Sequence, residues 1–306
     1  MTPDITVIVP VYNRQEFLGG CLDSILSQDL PTKICIVDDC STDATLEVAQ
    51  KYAETHPNIK VSSNEYNSGS PDLAINREFS NCDTPFVIWL GSDDYYNAPN
   101  ALSTLQEALL KSTSANYAYC DFDVKGDLTL APTHFGAFSD CDHIRYLSHF
   151  AQKLIPAIPW NGMWRTSHFQ KFASPWPVFE WAKSSSDTLN GVRQFARHLQ
   201  TIHVPEKLIS YVFHPEQNTA GLKARVDSLE HKLGYFLSVV DNADLAQMLN
   251  VDNDRFVLRE AAEKLTQFHI RKHRTFVQFS DLSTKDVHLC NQTLDKIDTR
   301  SVLGDL

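Results

Sequence analysis

The sequence predicts an α/β fold, a mostly parallel sheet flanked by helices, with a helical appendage at the C-terminal end. Two observations carry this. Short β-branched blocks alternate with segments whose apolar residues recur at helical spacing, from Ile5 to about Phe122, the pattern of a parallel sheet covered on both faces. From about Ala224 onward the pattern is instead helical and polar, without proline.

Each element has a local reason. Ile5 to Val11 is a β-branched run and the first strand, and Phe17, Leu18, Cys21, Leu22, Ile25 and Leu26 then form one apolar helical stripe. Lys33 to Val37 is the second strand. Ser41, Thr42 and Asp43 offer N-caps for a helix through Leu46, Ala49 and Ala53. Ile59 to Ser62 is a short third strand, and Asn67-Ser68-Gly69-Ser70-Pro71 is a turn that leads into another helix. Phe86 to Leu90 is the fourth strand, Ala101 to Leu110 a helix and Tyr117 to Phe122 a fifth strand. The middle of the chain is less regular: Trp160, Trp164, Trp176 and Trp181 fall among Pro159, Pro175 and Pro177, which interrupt any long helix. Regularity returns with a helical face of Leu189, Val192, Phe195, Ala196 and Leu199, and Lys207 to His214 reads as a strand. A domain boundary is expected near Gly221.

Two acidic pairs, Asp38-Asp39 and Asp93-Asp94, each close an apolar strand block. Ligands of open α/β sheets sit at the carboxyl ends of the strands. Two such pairs at one sheet edge repel unless a cation or a donor-rich ligand lies between them, which points to a metal-assisted site for a phosphorylated substrate. The competing reading is that these aspartates are turn and cap residues, a position Asp favours.

Composition limits the setting. The 306 residues are 42% hydrophobic and 10% aromatic, enough for a sizeable core. A net charge of −11 argues against broad binding to nucleic acid or anionic lipid. The N-terminus runs straight into a strand without a signal pattern, and no apolar stretch is long enough for a transmembrane segment. Seven scattered cysteines, never spaced C-x-x-C, fit reduced thiols and a cytoplasmic protein.

The motifs carry a resemblance. Val9-Pro10-Val11-Tyr12-Asn13-Arg14, Cys21 to Gln28, and Val37-Asp38-Asp39-Cys40-Ser41-Thr42-Asp43 resemble the opening of family 2 glycosyltransferases, whose nucleotide-binding domain is the Rossmann-like fold called GT-A. The likeness continues at Ala74-Ile75-Asn76-Arg77, Trp89 to Asp94, Ser186-Asp187 and Ser210 to Pro215. It implies a domain over residues 1–221, with a nucleotide-donor half at 1–123 and an acceptor half at 124–221; residues 222–306 form a helical region without a resemblance.

The family implies an inverting, metal-dependent transfer from a nucleotide sugar, UDP-linked, and the tryptophan cluster points to a saccharide-type acceptor. Pro10, Tyr12, Asn13, Asp39, Asn76, Arg77 and Asp93 are the expected donor contacts. Tyr12 supplies a platform for uracil, and Asp39 an acceptor for its N3–H. Asp94 is the expected ligand of Mn²⁺ or Mg²⁺, with His214 as a further one, because hard oxygen ligands suit a cation that offsets charge growing on a diphosphate. Many members carry another Asp where this chain has Gly91.

Asp187 is the expected general base, although Ser184-Ser185-Ser186-Asp187 is also a helix N-cap run. Trp160, Trp164 and Trp181 are expected acceptor platforms, with core packing as the competing role. His269 to Arg274 form a basic cluster, and the C-terminal helices offer a surface for a homo-oligomer.

Two other enzyme classes fit poorly. A nicotinamide oxidoreductase wants G-x-G-x-x-G after the first strand, and a nucleotidyltransferase a Gly-rich basic loop; Tyr12 to Glu16 is neither. A degenerate, noncatalytic sugar-binding protein is the remaining alternative, prompted by Gly91 and Ser186.

Overall fold

A computed structural model describes residues 2–69, 71–126, 162–171, 200–214, 267, 270–271, 273–275, 277–278 and 282–302. The chain separates into two units. The first comprises Met1–Ala131, Pro159–Pro177 and Gln200–Phe213, and the second Pro132–Ile158, Val178–Leu199 and His214–Leu306. The expected boundary near Gly221 lies outside the described residues.

The first unit is built on one sheet. Its strands are β1 (Ile5–Val11), β2 (Thr32–Asp38), β3 (Ile59–Ser63), β4 (Phe86–Trp89), β5 (Tyr95–Tyr96), β6 (Tyr117–Gly126), β7 (Met163–Arg165) and β8 (Thr201–Phe213). They lie in the order β3-β2-β1-β4-β7-β6-β8-β5. β1, β2, β3 and β4 are mutually parallel, as the alternation predicts. β7 runs antiparallel to both β4 and β6, and β5 antiparallel to β8. The helices are α1 (Leu18–Leu26), α2 (Thr45–Thr55), α3 (Pro71–Ser80), α4 (Ala101–Lys111) and α5 (Thr166–Lys171).

The apolar blocks do what a parallel sheet asks of them. Val7, Val9, Ile34, Ile36 and Ile88 pack in one cluster with Leu18, Leu22 and Ile25 of α1 and Leu102, Leu105 and Leu109 of α4. The alternate residues Ile8, Cys35, Val37 and Val87 are buried as well. Central strands covered on both faces must be continuously apolar rather than alternating. Ile75 and Phe79 supply the buried stripe of α3.

In the second unit the described residues between 267 and 278 are helical, as is α6 (Thr284–Val302). Cys290 and Leu294 of α6 are buried, as are Ile270, His273 and Val277. Arg274 of the basic cluster pairs with Asp295 of α6 at 2.8 Å. No helix among the described residues is long and apolar enough to cross a membrane.

Candidate functional site

β1, β2 and β4 end side by side: Val11 lies opposite Asp38, and Ile8 opposite Trp89. The turns after these strands therefore leave the sheet together, at the edge where ligands of open α/β sheets bind. Two of them pass through left-handed residues, Asn13 at φ 50° and Cys40 at φ 62°. Asn tolerates that conformation, whereas a side chain such as Cys incurs about 1 kcal/mol.

The first two turns are laced together. The Asn13 N–H donates to Ser41 Oγ at 3.0 Å, the Thr42 N–H to Asn13 Oδ1 at 2.8 Å, and Asn13 Nδ2 to Thr42 Oγ1 at 3.2 Å. The amide of Asn13 thus holds one turn on the other. Pro10 lies past the last β1–β4 pair, so its missing N–H removes no rung there. Tyr12 is 41% exposed, an open ring at the strand end.

Asp38 and Asp39 divide the work. Asp38 is buried and accepts from the Ser41 N–H at 3.2 Å and the Ser63 hydroxyl at 2.9 Å, so it is a turn residue. Asp39 accepts from Asn64 Nδ2 at 2.7 Å, the Ser68 N–H at 2.9 Å and the Ser68 hydroxyl at 3.0 Å. Arg77 on α3 donates to Asn64 Oδ1 at 3.2 Å and pairs with Glu78 at 3.0 Å. Arg77, Asn64 and Asp39 therefore form one chain of contacts; Asn76 lies beside Arg77 on the same helix.

The turn after β4 holds the second acidic pair. Arg14 Nε reaches Asp93 Oδ2 at 3.3 Å, with the two side chains only 13% and 16% exposed. Asp94 is 3% exposed and accepts the Val212 N–H from β8 at 2.9 Å. Burial, and then the neighbouring Asp93 charge, hold the Asp94 carboxyl well above the usual range. Cys21 Sγ lies 3.5 Å from the Gly91 carbonyl, and burial followed by the Asp94 and Asp93 charges pushes its thiol pKa up, so it stays protonated. A Cβ at Gly91 would lie 2.6 Å from Asp94 Oδ2 and 3.0 Å from Asp93 Oδ1. Glycine at this position thus leaves room for the two carboxylates.

Among the described residues no group of three or more His, Cys, Asp or Glu side chains could hold a metal ion by itself. The carboxylates of the β4 turn fit a hard cation in kind, one that brings most of its oxygen ligands on a diphosphate. His214 follows β8 directly and is buried.

The tryptophan expectation is corrected at one position. Trp164 lies in β7, 6% exposed, with its ring 4.1 Å from that of Tyr117 and tilted 31°. Packing of this kind leaves no open face for a sugar, so Trp164 is a core residue. Trp160, Trp181 and Asp187 lie outside the described residues. Sequence reasoning did not single out Arg14, Asn64 or Ser68. Arg14 stands within the motif Val9 to Arg14, Ser68 reads only as a turn former, and Asn64 carries no local signal.

Comparison with known proteins gives the family and the fold. Residues 6–170 match the model of Glycosyl transferase family 2. The chain is 41% identical over 95 residues to the poly(ribitol-phosphate) beta-N-acetylglucosaminyltransferase TarS of Staphylococcus aureus, a match over 30% of this chain and 16% of that protein. It thus spans about a sixth of that relative's length. Residues 1–349 of TarS in complex with UDP superpose with a TM-score of 0.62 at 20% identity, over 98% of this chain and 88% of that one. The mannosyltransferase PcManGT of Pyrobaculum calidifontis, in complex with GDP-Man and Mn²⁺, gives 0.57 at 16% identity, over 100% and 89%. The fold is that of the GT-A glycosyltransferases, and the chain belongs to glycosyl transferase family 2.

Proposed function

We propose that this glycosyltransferase moves a sugar from a UDP-linked donor to a hydroxyl of a saccharide-type acceptor, with inversion and with a divalent cation on the diphosphate. The observation that carries the reading is the meeting of Tyr12, Asp39 and Asp93 at adjoining strand ends, one offering an aromatic face and two offering carboxylates. The Tyr12 ring stacks on the base. Asp39 accepts the base N3–H with an oxygen shared with Ser68, so the loop and the base compete for one carboxylate. Arg77 steadies that loop through Asn64.

Asp93 would hold the cation and meet the ribose, while Asp94 clasps β8 through Val212. This differs from the division expected from the sequence, and the backbone partner on Asp94 Oδ1 supports it. A Mn²⁺ or Mg²⁺ ion at Asp93 would offset the charge that grows on the departing diphosphate. The solved relative with GDP-Man and Mn²⁺ supports a cation of this kind.

Asp187 keeps the role of general base by resemblance and takes the acceptor hydroxyl's proton as the new bond forms. Trp160 and Trp181 remain proposed acceptor platforms, and His214 a contact to the cation or phosphates. The likeness to TarS, named for a poly(ribitol-phosphate) acceptor, favours polysaccharide or cell-surface polymer synthesis. A cytoplasmic location and a homo-oligomer through the C-terminal helices complete the reading.

Calorimetric titration with UDP, with and without Mn²⁺, tests the donor site on the wild type and on Asp93→Asn. Metal-dependent binding that the variant loses supports it, and a screen of UDP-sugars then follows, with Asp187→Asn expected to bind donor without turnover. Absence of UDP binding under every metal condition would overturn the UDP assignment and favour the noncatalytic alternative.

A further inference from the structure

Arg14 ties two turns of the site together across 79 positions of sequence. One arm, Nε, meets Asp93 Oδ2 at 3.3 Å; another, Nη1, meets the carbonyls of Asn13 at 2.9 Å and Tyr12 at 3.4 Å. The guanidinium is thus fixed between the base platform and the acidic turn, with little exposure of either charged side chain to screening solvent.

We propose that Arg14 is a positioning residue that shares Asp93 with the divalent cation and so sets how tightly that cation is held. The inference rests on the assignment of the cation to Asp93. Two features of this chain leave the arginine's influence undiluted. Gly91 supplies no carboxylate to the turn, and Asp94 Oδ1 is engaged by the Val212 N–H. The guanidinium charge beside Asp93 Oδ2 opposes a second cation at the same oxygen. A divalent ion competing for the same oxygen meets that field with twice the charge. The cation is therefore held weakly by the protein alone and firmly only when the diphosphate brings further oxygens. Arg14 makes cation entry follow nucleotide entry.

The test is binding of Mn²⁺, followed by the paramagnetic resonance of the free ion, to protein saturated with UDP. Wild type, Arg14→Gln, Arg14→Lys and Asp93→Asn are compared, and UDP affinity in EDTA and thermal melting are recorded for each. The charge argument expects Arg14→Gln to bind Mn²⁺ at least about tenfold more tightly than wild type. Arg14→Lys, which keeps a cation beside Asp93 without the planar fork, stays close to wild type. Arg14→Met, which keeps the apolar stem, repeats the measurement if Arg14→Gln melts low. Equal Mn²⁺ affinity in wild type and Arg14→Gln, with Asp93→Asn impaired, overturns the role of Arg14 and leaves the donor site standing. Shifts of the same sign and size in Arg14→Gln and Arg14→Lys also overturn it, because they report a lost clamp rather than a lost charge. Wild-type Mn²⁺ affinity in Asp93→Asn overturns the cation assignment itself, and this proposal with it.

Discussion

Asp94 is an acid that its own fold discourages from ionising. Burial is the larger cause and the Asp93 charge the second, and both raise its pKa above the unfolded value. The folded protein therefore binds the proton more tightly than the unfolded chain. Stability contributed this way is present below the ordinary carboxylate pKa and is lost as pH rises through the raised folded value. Asn at this position accepts the Val212 N–H without carrying charge. Metal-free Asp94→Asn is expected to melt above wild type at pH 8, with the gap closing below pH ~4; a variant that melts lower at both pH values refutes this. Gly91→Ala is its steric counterpart. With a Cβ 2.6 Å from Asp94 Oδ2, it should lose about 1–3 kcal/mol in denaturant unfolding.

At the scale of elements, what could be read from sequence depended on how local each element is. β1, β2 and β4 were legible because strands covered on both faces are short apolar blocks. β5 and β7 were not: two or three residues carry no period, and both pair antiparallel with strands distant in sequence. β8 was expected from Lys207 but begins at Thr201. Its early half was hidden by Pro205, which falls where the register with β6 shifts past Cys120. β6 likewise runs beyond Phe122 to Gly126 because its polar residues pair across the ladder, with Asp121 on His203 at 2.8 Å and Asp123 on Lys207 at 2.8 Å.

Two predictions belong here. Gly126 has φ of +80°, and a Cβ there would lie 2.1 Å from the Phe213 carbonyl oxygen. Gly126→Ala should therefore destabilise by at least about 2 kcal/mol, read by thermal melting. Trp164→Ala removes the ring packed on Tyr117, which in turn stacks on Tyr119. It should reduce unfolding free energy by about 3–5 kcal/mol while UDP affinity at low temperature stays unchanged. A folded Trp164→Ala with wild-type stability and weakened acceptor binding would restore the platform reading.

On the scale of the whole molecule, the sequence disclosed which residues stand at the carboxyl ends of the strands but not what they hold. Tyr12, Asp39 and Asp93 were visible because strand ends are visible. The tie from Arg14 to Asp93 was not, since nothing local distinguishes it from a solvated arginine. The clasp of Asp94 on Val212 spans 118 positions, and the Asn97 N–H reaches the Leu208 carbonyl at 2.8 Å beside it. Both partners lie in β8, beyond the stretch 6–170 that matches the family. Contacts of such long range form only after the chain has closed a large loop, and that closure slows folding. A growing chain accordingly carries its acidic pair through most of its synthesis as two ordinary neighbours on an open turn, and the pair acquires its geometry only when a strand made far later arrives to receive it.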